Sequence, residues 1–154
     1  MITTFTVILT TIFASGFNAE SIPAESRLRS IVENLSNPRR NWLDTSALNK
    51  TANYISQKFI DLGLVCQDQL FEVDEKAYKN IECILPGKAP ETIIIGAHYD
   101  VAGMNPGADD NASGVAGLIE LASKFAKSKA KPKSTIRFVA YSLEEPPFYN
   151  TENM

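Results

Sequence analysis

Histidine is nearly missing from this chain: His98 stands alone among 154 residues. Cysteine is scarce too, with only Cys66 and Cys83, too few for a disulfide framework or a zinc-ribbon pattern. There is no basic excess. The 15 Lys and Arg against 18 Asp and Glu leave a formal charge of −3, so no electrostatic footprint argues for nucleic acid. No apolar run reaches the roughly 20 residues that a membrane-spanning helix needs. Internal repeats and low-complexity segments are absent. What remains is an ordinary globular composition, 44% apolar and 21% charged, long enough for one domain with a real core.

The N-terminus carries an apolar core from Phe5 to Ala14 with a small-residue exit at Ala14-Ser15-Gly16 or Ala19. This has the form of a signal-peptide h-region, although the first basic residue is Arg27. The pattern predicts a signal peptide over 1–19, a secreted or periplasmic product, and one folded unit over 20–154. Cys66 and Cys83 fall on neighbouring predicted strands. They could pair in an oxidising compartment; the expectation is two unpaired, half-buried thiols.

Periodicity then divides the chain. Leu28, Ile31, Val32 and Leu35 recur at helical spacing, and Asn37-Pro38 ends that helix. Trp42, in the following loop, reads as a core plug. Thr45 or Ser46 can cap a second helix, whose stripe is Leu48, Ala52, Ile55, Phe59 and Leu62, with Gly63 suited to its C-terminal end. Residues 64–73 and 78–85 read as a hairpin turning at Asp74-Glu75-Lys76. Thr92 to Ala97 is a continuous apolar run, as expected of a strand covered on both faces. Ser113 can cap a third helix with Val115, Leu118, Ile119, Ala122 and Phe125 on its apolar face. Ser134 to Ser142 reads as a last strand. A strand–helix–strand crossover beside a hairpin predicts an α/β fold with a mixed sheet and helices on its faces. In such sheets ligand-binding loops gather beyond the carboxyl ends of the parallel strands.

Two polar clusters sit at those ends. His98 and Asp100 are two residues apart on extended chain, so they share a face, and Asp100 can reach the imidazole nitrogen that a metal leaves free. Asp109-Asp110 lies between Gly107 and Gly114, where one carboxylate could bridge two cations, while Asp110 or Ser113 could simply cap the helix. Glu144 and Glu145 are adjacent and, on extended backbone, would point apart. One could then ligate while the other carries a proton. A phosphate cradle is disfavoured, because the loop is acidic and has no lysine.

Together Gly96-Ala97-His98-Tyr99-Asp100, the run from Pro106 through Asp109-Asp110-Asn111 to Gly114, and the run from Thr135 to Glu144-Glu145 resemble the co-catalytic zinc aminopeptidase family. That family includes leucyl-type aminopeptidases, glutamate carboxypeptidase II and the glutaminyl cyclases. The resemblance implies a three-layer α/β/α sandwich with a mixed, largely parallel sheet. It also implies hydrolysis of N-terminal peptide bonds with metal-activated water, and two Zn²⁺ ions in a complete domain. His98, Asp109 and Glu145 would be metal ligands, with Asp109 bridging. Glu144 would be the general base, and Asp100 the partner of His98. The peptide bond joining the paired aspartates is expected to be cis. Peptide or protein N-termini are the implied partners, with no nucleic acid and no stable membrane span. In the family the domain continues past the Glu-Glu block, where a later Asp and a later His each complete one metal site. The expectation is therefore an N-terminal half-domain with low or no activity alone. The alternatives are an inactive remnant or binding module on the same scaffold and, less favoured, a glutaminyl cyclase.

Overall fold

The computed structural model describes residues 22–37 and 39–154; the signal-like segment lies outside them. Helix α1, Ala24–Leu35, starts after Pro23, whose fixed φ suits a helix entrance. Ile31 and Leu35 are its buried positions. Helix α2, Thr45–Ile60, is capped by Asp44 rather than by Thr45 or Ser46. The Asp44 carboxylate accepts the Ala47 N–H at 2.9 Å, the reach a cap needs to satisfy a free helix donor. Leu48, Ala52, Ile55 and Phe59 form its buried stripe. Gly63, with φ of 81°, lets the chain leave by the left-handed conformation open to glycine.

Strands β1, Val65–Val73, and β2, Lys76–Leu85, make the expected antiparallel hairpin. Asp74 and Glu75 both have positive φ, which matches the turn to the twist of the strands. That register sets Cys66 directly opposite Cys83 with Cα atoms 4.1 Å apart, and the two form a disulfide. The expectation of unpaired thiols is thus overturned by register: each sulfur is the other's nearest cross-strand neighbour. Strand β3, Ala89–His98, is followed by α3, Gly114–Ala126, and β4, Ser134–Tyr141. The sheet order is β1-β2-β4-β3, with β3 parallel to β4 and the other pairs antiparallel. The sheet is mixed, as anticipated, although one of its three pairings is parallel, against the largely parallel arrangement that the resemblance implies.

The three helices share one core with the sheet. Phe59 of α2 stacks on Phe138 of β4 at 6.0 Å between ring centroids, and Ile81, Cys83, Val115 and Leu118 complete its centre. Two expectations change. Strand β3 is an edge strand, with Ile93 51% and Ile94 60% exposed, rather than a strand covered on both faces. An apolar run reports that a strand is hydrophobic, not where it lies in the sheet. Phe125, placed on the apolar face of α3, is 38% exposed, whereas Ala116 is buried. Trp42 is half-buried and meets Phe148 edge-on at 5.7 Å, as a core plug should. Among the described residues no helix is long and apolar enough to cross a membrane.

Candidate metal centre

His98 is the last residue of β3, and Glu144-Glu145 follow three residues after β4 ends. The parallel register pairs His98 with Tyr141, so both polar clusters leave the same end of the sheet. Tyr99 N–H donates to the Tyr141 carbonyl at 2.8 Å and continues that pairing into the loops. Strand β2 anchors them from the other side. The Tyr99 hydroxyl and the Ser142 hydroxyl both donate to the Lys79 carbonyl, at 2.7 and 3.1 Å, and Ser142 N–H donates to Asn80 Oδ1. Burial pushes the Tyr99 phenol well above its usual pKa, so it stays a donor.

Four acidic groups surround the imidazole. Asp110 Oδ1 lies 3.0 Å from His98 Nε2, and Glu144 Oε2 lies 3.6 Å from the same nitrogen. His98, Glu144 and Glu145 each offer a ligand atom within 4.8 Å of the others. The two glutamates therefore do not point apart. Leu143, buried with φ of 61°, turns the chain so that both face His98. On the opposite side of the ring, Asp100 Oδ1 is 3.4 Å from Nδ1. The contact is an ionic approach rather than an aligned hydrogen bond, and Nδ1 is buried without an aligned partner. Asp100 spends its aligned acceptor capacity elsewhere. Oδ2 accepts Glu145 N–H at 3.0 Å and Oδ1 accepts Glu144 N–H at 3.3 Å. This carboxylate thus links the His98 strand end to the backbone of the Glu-Glu turn.

The second aspartate of the pair, not the first, reaches the imidazole. The Asp109 carbonyl accepts the Ser113 hydroxyl at 2.6 Å, so Ser113 braces the loop instead of capping α3 with its side chain. Between Ala108 and Ser113 the chain makes a wide irregular turn, with Ala112 N–H donating to the Gly107 carbonyl and non-helical angles at Asp110 and Asn111. That turn aims Asp110 back over His98. The cis peptide bond lies one residue later than expected, between Asp110 and Asn111.

The electrostatics follow from this crowding. Burial opposes a charge on His98, but Asp100, Glu144 and Asp110 outweigh it and raise the imidazole pKa. Burial raises the Glu145 pKa, and the neighbouring Asp110 charge adds to the shift. The donor set of one imidazole nitrogen and several carboxylate oxygens fits zinc or a similar divalent ion. The buried, unaligned Nδ1 facing Asp100 fits too, because a ring bound through Nε2 needs a carboxylate behind it. Beside the centre is a cavity of about 390 Å³ that includes Gly96, His98, Asn111, Tyr141 and Glu144 in its lining. A Cβ at Gly96 would meet the Tyr141 ring, so glycine lets that ring lie against the strand.

One participant had no readable signal. Arg40, in a stretch that looks like an ordinary basic loop, is 1% exposed and lies beneath both metal-site loops. Only its burial, invisible to periodicity, distinguishes it from Arg39.

Residues 80–153 match peptidase family M28. The uncharacterized protein YfbL of Escherichia coli (strain K12) is 42% identical over 115 residues, covering 70% of this chain and 35% of that protein. A probable leucine aminopeptidase of Arthroderma otae is 35% identical over 86 residues, covering 49% of this chain and 23% of that protein. This chain thus spans about a third or less of the length of these relatives. A leucine aminopeptidase precursor from Bacteroides thetaiotaomicron shares the fold, with a TM-score of 0.66 at 23% identity over 89% of this chain and 53% of that one. The matched segment contributes the imidazole and every carboxylate of the centre, and it is over that segment that this chain resembles peptidase family M28.

Proposed function

We propose that this chain contributes the metal-binding half of a zinc-dependent exopeptidase that removes residues from free peptide N-termini. The observation that supports this reading is the convergence of His98, Asp110, Glu144 and Glu145 beyond the ends of two parallel strands. His98, Asp110 and Glu145 would hold the cation, with Asp110 taking the part that the sequence resemblance gave to Asp109. Zinc, when bound, lowers the pKa of water and polarises a carbonyl. Glu144, whose side chain is 33% exposed and lines the cavity, would take a proton from the attacking water and deliver it to the leaving amine. Asp100 keeps the His98 ring oriented and the Glu-Glu turn in place. The acidic surroundings favour a positively charged group, as a free α-amine is at neutral pH. Export is supported by the Cys66–Cys83 disulfide, since such bonds persist in oxidising compartments.

The test is metal binding joined to product analysis. Zinc titration of the purified chain should show a site that His98→Ala abolishes. Incubation with an unblocked peptide should release its first amino acid slowly, stop on chelation, and fail with Glu144→Gln. Ammonia release from a peptide beginning with Gln, without amino-acid release, would instead indicate a cyclase. Absence of a His98-dependent zinc site would refute the reading.

A further inference from the structure

Arg40 is a buried cation that forms no ion pair with a carboxylate among the described residues. Its guanidinium donates only to backbone carbonyls: Nε to Leu35 at 2.6 Å, Nη1 to Tyr99 and to Asp100 at 3.1 Å, and Nη2 to Gly107 and to Pro106 at 3.4 Å. Its own carbonyl accepts Val101 N–H at 3.1 Å. One side chain thus ties the end of α1 to the segment just after His98 and to the segment just before Asp109-Asp110. Lysine could not do this, because a point charge lacks the planar fork that reaches several acceptors at once.

A buried charge held by neutral carbonyls is costly unless a field compensates. Here the field comes from the site. Burial lowers the Arg40 pKa to about 10, and the charges of Asp100, Asp110 and Glu145 oppose that lowering, so the group remains cationic at neutral pH. The relation is mutual: the guanidinium offsets part of the repulsion among those carboxylates. Gly107 belongs to the same arrangement. It has φ of 63°, and a Cβ there would meet Arg40 Nη2 and Val101.

We infer that Arg40 is a positioning residue for the metal centre, holding the His98 and Asp110 loops in register and offsetting the carboxylate charge so that the donor set is assembled before a cation arrives. This rests on the reading that His98 and Asp110 bind a cation. It predicts that Arg40 acts on metal affinity and not on stability alone.

The experiment compares zinc affinity, by competition with a chromophoric chelator, in folded wild type, Arg40→Met, Arg40→Lys and Gly107→Ala. Ile55→Ala, in the core of α2, is the control for lost stability without site damage. Arg40→Met and Gly107→Ala should each weaken zinc binding by about tenfold or more, the range seen when a ligand's support is removed. Arg40→Lys should fall between them and wild type, and the visible bands of bound Co²⁺ should shift in all three. Ile55→Ala should bind as wild type does. Zinc affinity within about twofold of wild type in folded Arg40→Met, or an equal loss in Ile55→Ala, overturns the assignment. Should Arg40→Met not fold, Gly107→Ala decides on the same criterion. A wild-type chain that binds no zinc refutes the metal reading itself. Wild-type binding with unaltered variants refutes the Arg40 role alone.

Discussion

Asp100→Asn is the most informative single change outside the proposed ligands. The substitution keeps shape and removes charge at a side chain that is 2% exposed. Asp100 accepts two backbone N–H groups, from Glu145 at 3.0 Å and Glu144 at 3.3 Å. Asparagine has one acceptor oxygen. Placed on the shorter bond, that oxygen leaves its amide nitrogen facing Glu144 N–H, donor against donor. A hydrogen bond to a charged group contributes about 1.5–3 kcal/mol and a neutral one about 1 kcal/mol. One charged bond is lost and the other becomes neutral. Relief of a buried charge offsets part of this, leaving a net loss of about 2–3 kcal/mol in the metal-free protein. The imidazole also loses the carboxylate behind Nδ1, so zinc affinity should fall by about tenfold to a hundredfold. Urea unfolding in chelator gives the first quantity and competition titration the second. A variant within about 0.5 kcal/mol of wild type, with unaltered zinc affinity, would refute the view that Asp100 joins the two halves of the site.

The paired aspartates should separate cleanly. Asp110→Asn should weaken zinc binding by about tenfold or more, while Asp109→Asn should leave it nearly unchanged, both read by competition titration. The Cys66–Cys83 bridge closes a sequence separation of 17, so reduction should cost about 3 kcal/mol. Urea midpoints with and without reductant give the value, and the double serine variant should ignore reductant. The Arg27–Glu120 pair predicts an acid limb. Arg27 holds the Glu120 carboxyl below its usual pKa, with burial opposing. A depressed folded-state pKa contributes stability above the unfolded value of about 4.3, and that stability is lost as pH falls through the lower folded value. Arg27→Met should flatten this limb in acid urea titrations.

Much of this was readable in the sequence because local rules decide it. The helical stripes, Gly63 at the end of α2, and the hairpin at Asp74-Glu75 all follow from side-chain period and turn chemistry. The two polar clusters were legible for the same reason: His98, Asp100 and the Glu-Glu pair lie at the ends of strongly apolar strands. What failed was governed by tertiary placement. The apolar run of β3 gave no sign that Ile93 and Ile94 lie on an edge strand. Cross-strand register, not composition, decided that Cys66 meets Cys83. Asp109 and Asp110 are equivalent on paper, and only the wide turn before α3 distinguishes them. Leu143 lies just past the expected strand with nothing to mark a turn, yet its left-handed backbone brings Glu144 and Glu145 to the same side. Arg40 looks like any loop arginine until its burial is known.

The solitary imidazole has a practical consequence. Because His98 is both the chain's one histidine and the residue at the heart of the centre, a ring-proton spectrum of an untagged preparation reports that centre with no assignment problem. Every change in those lines, whether by acid, cation or peptide, arises at one known address. A polyhistidine purification handle would bury that signal under its own.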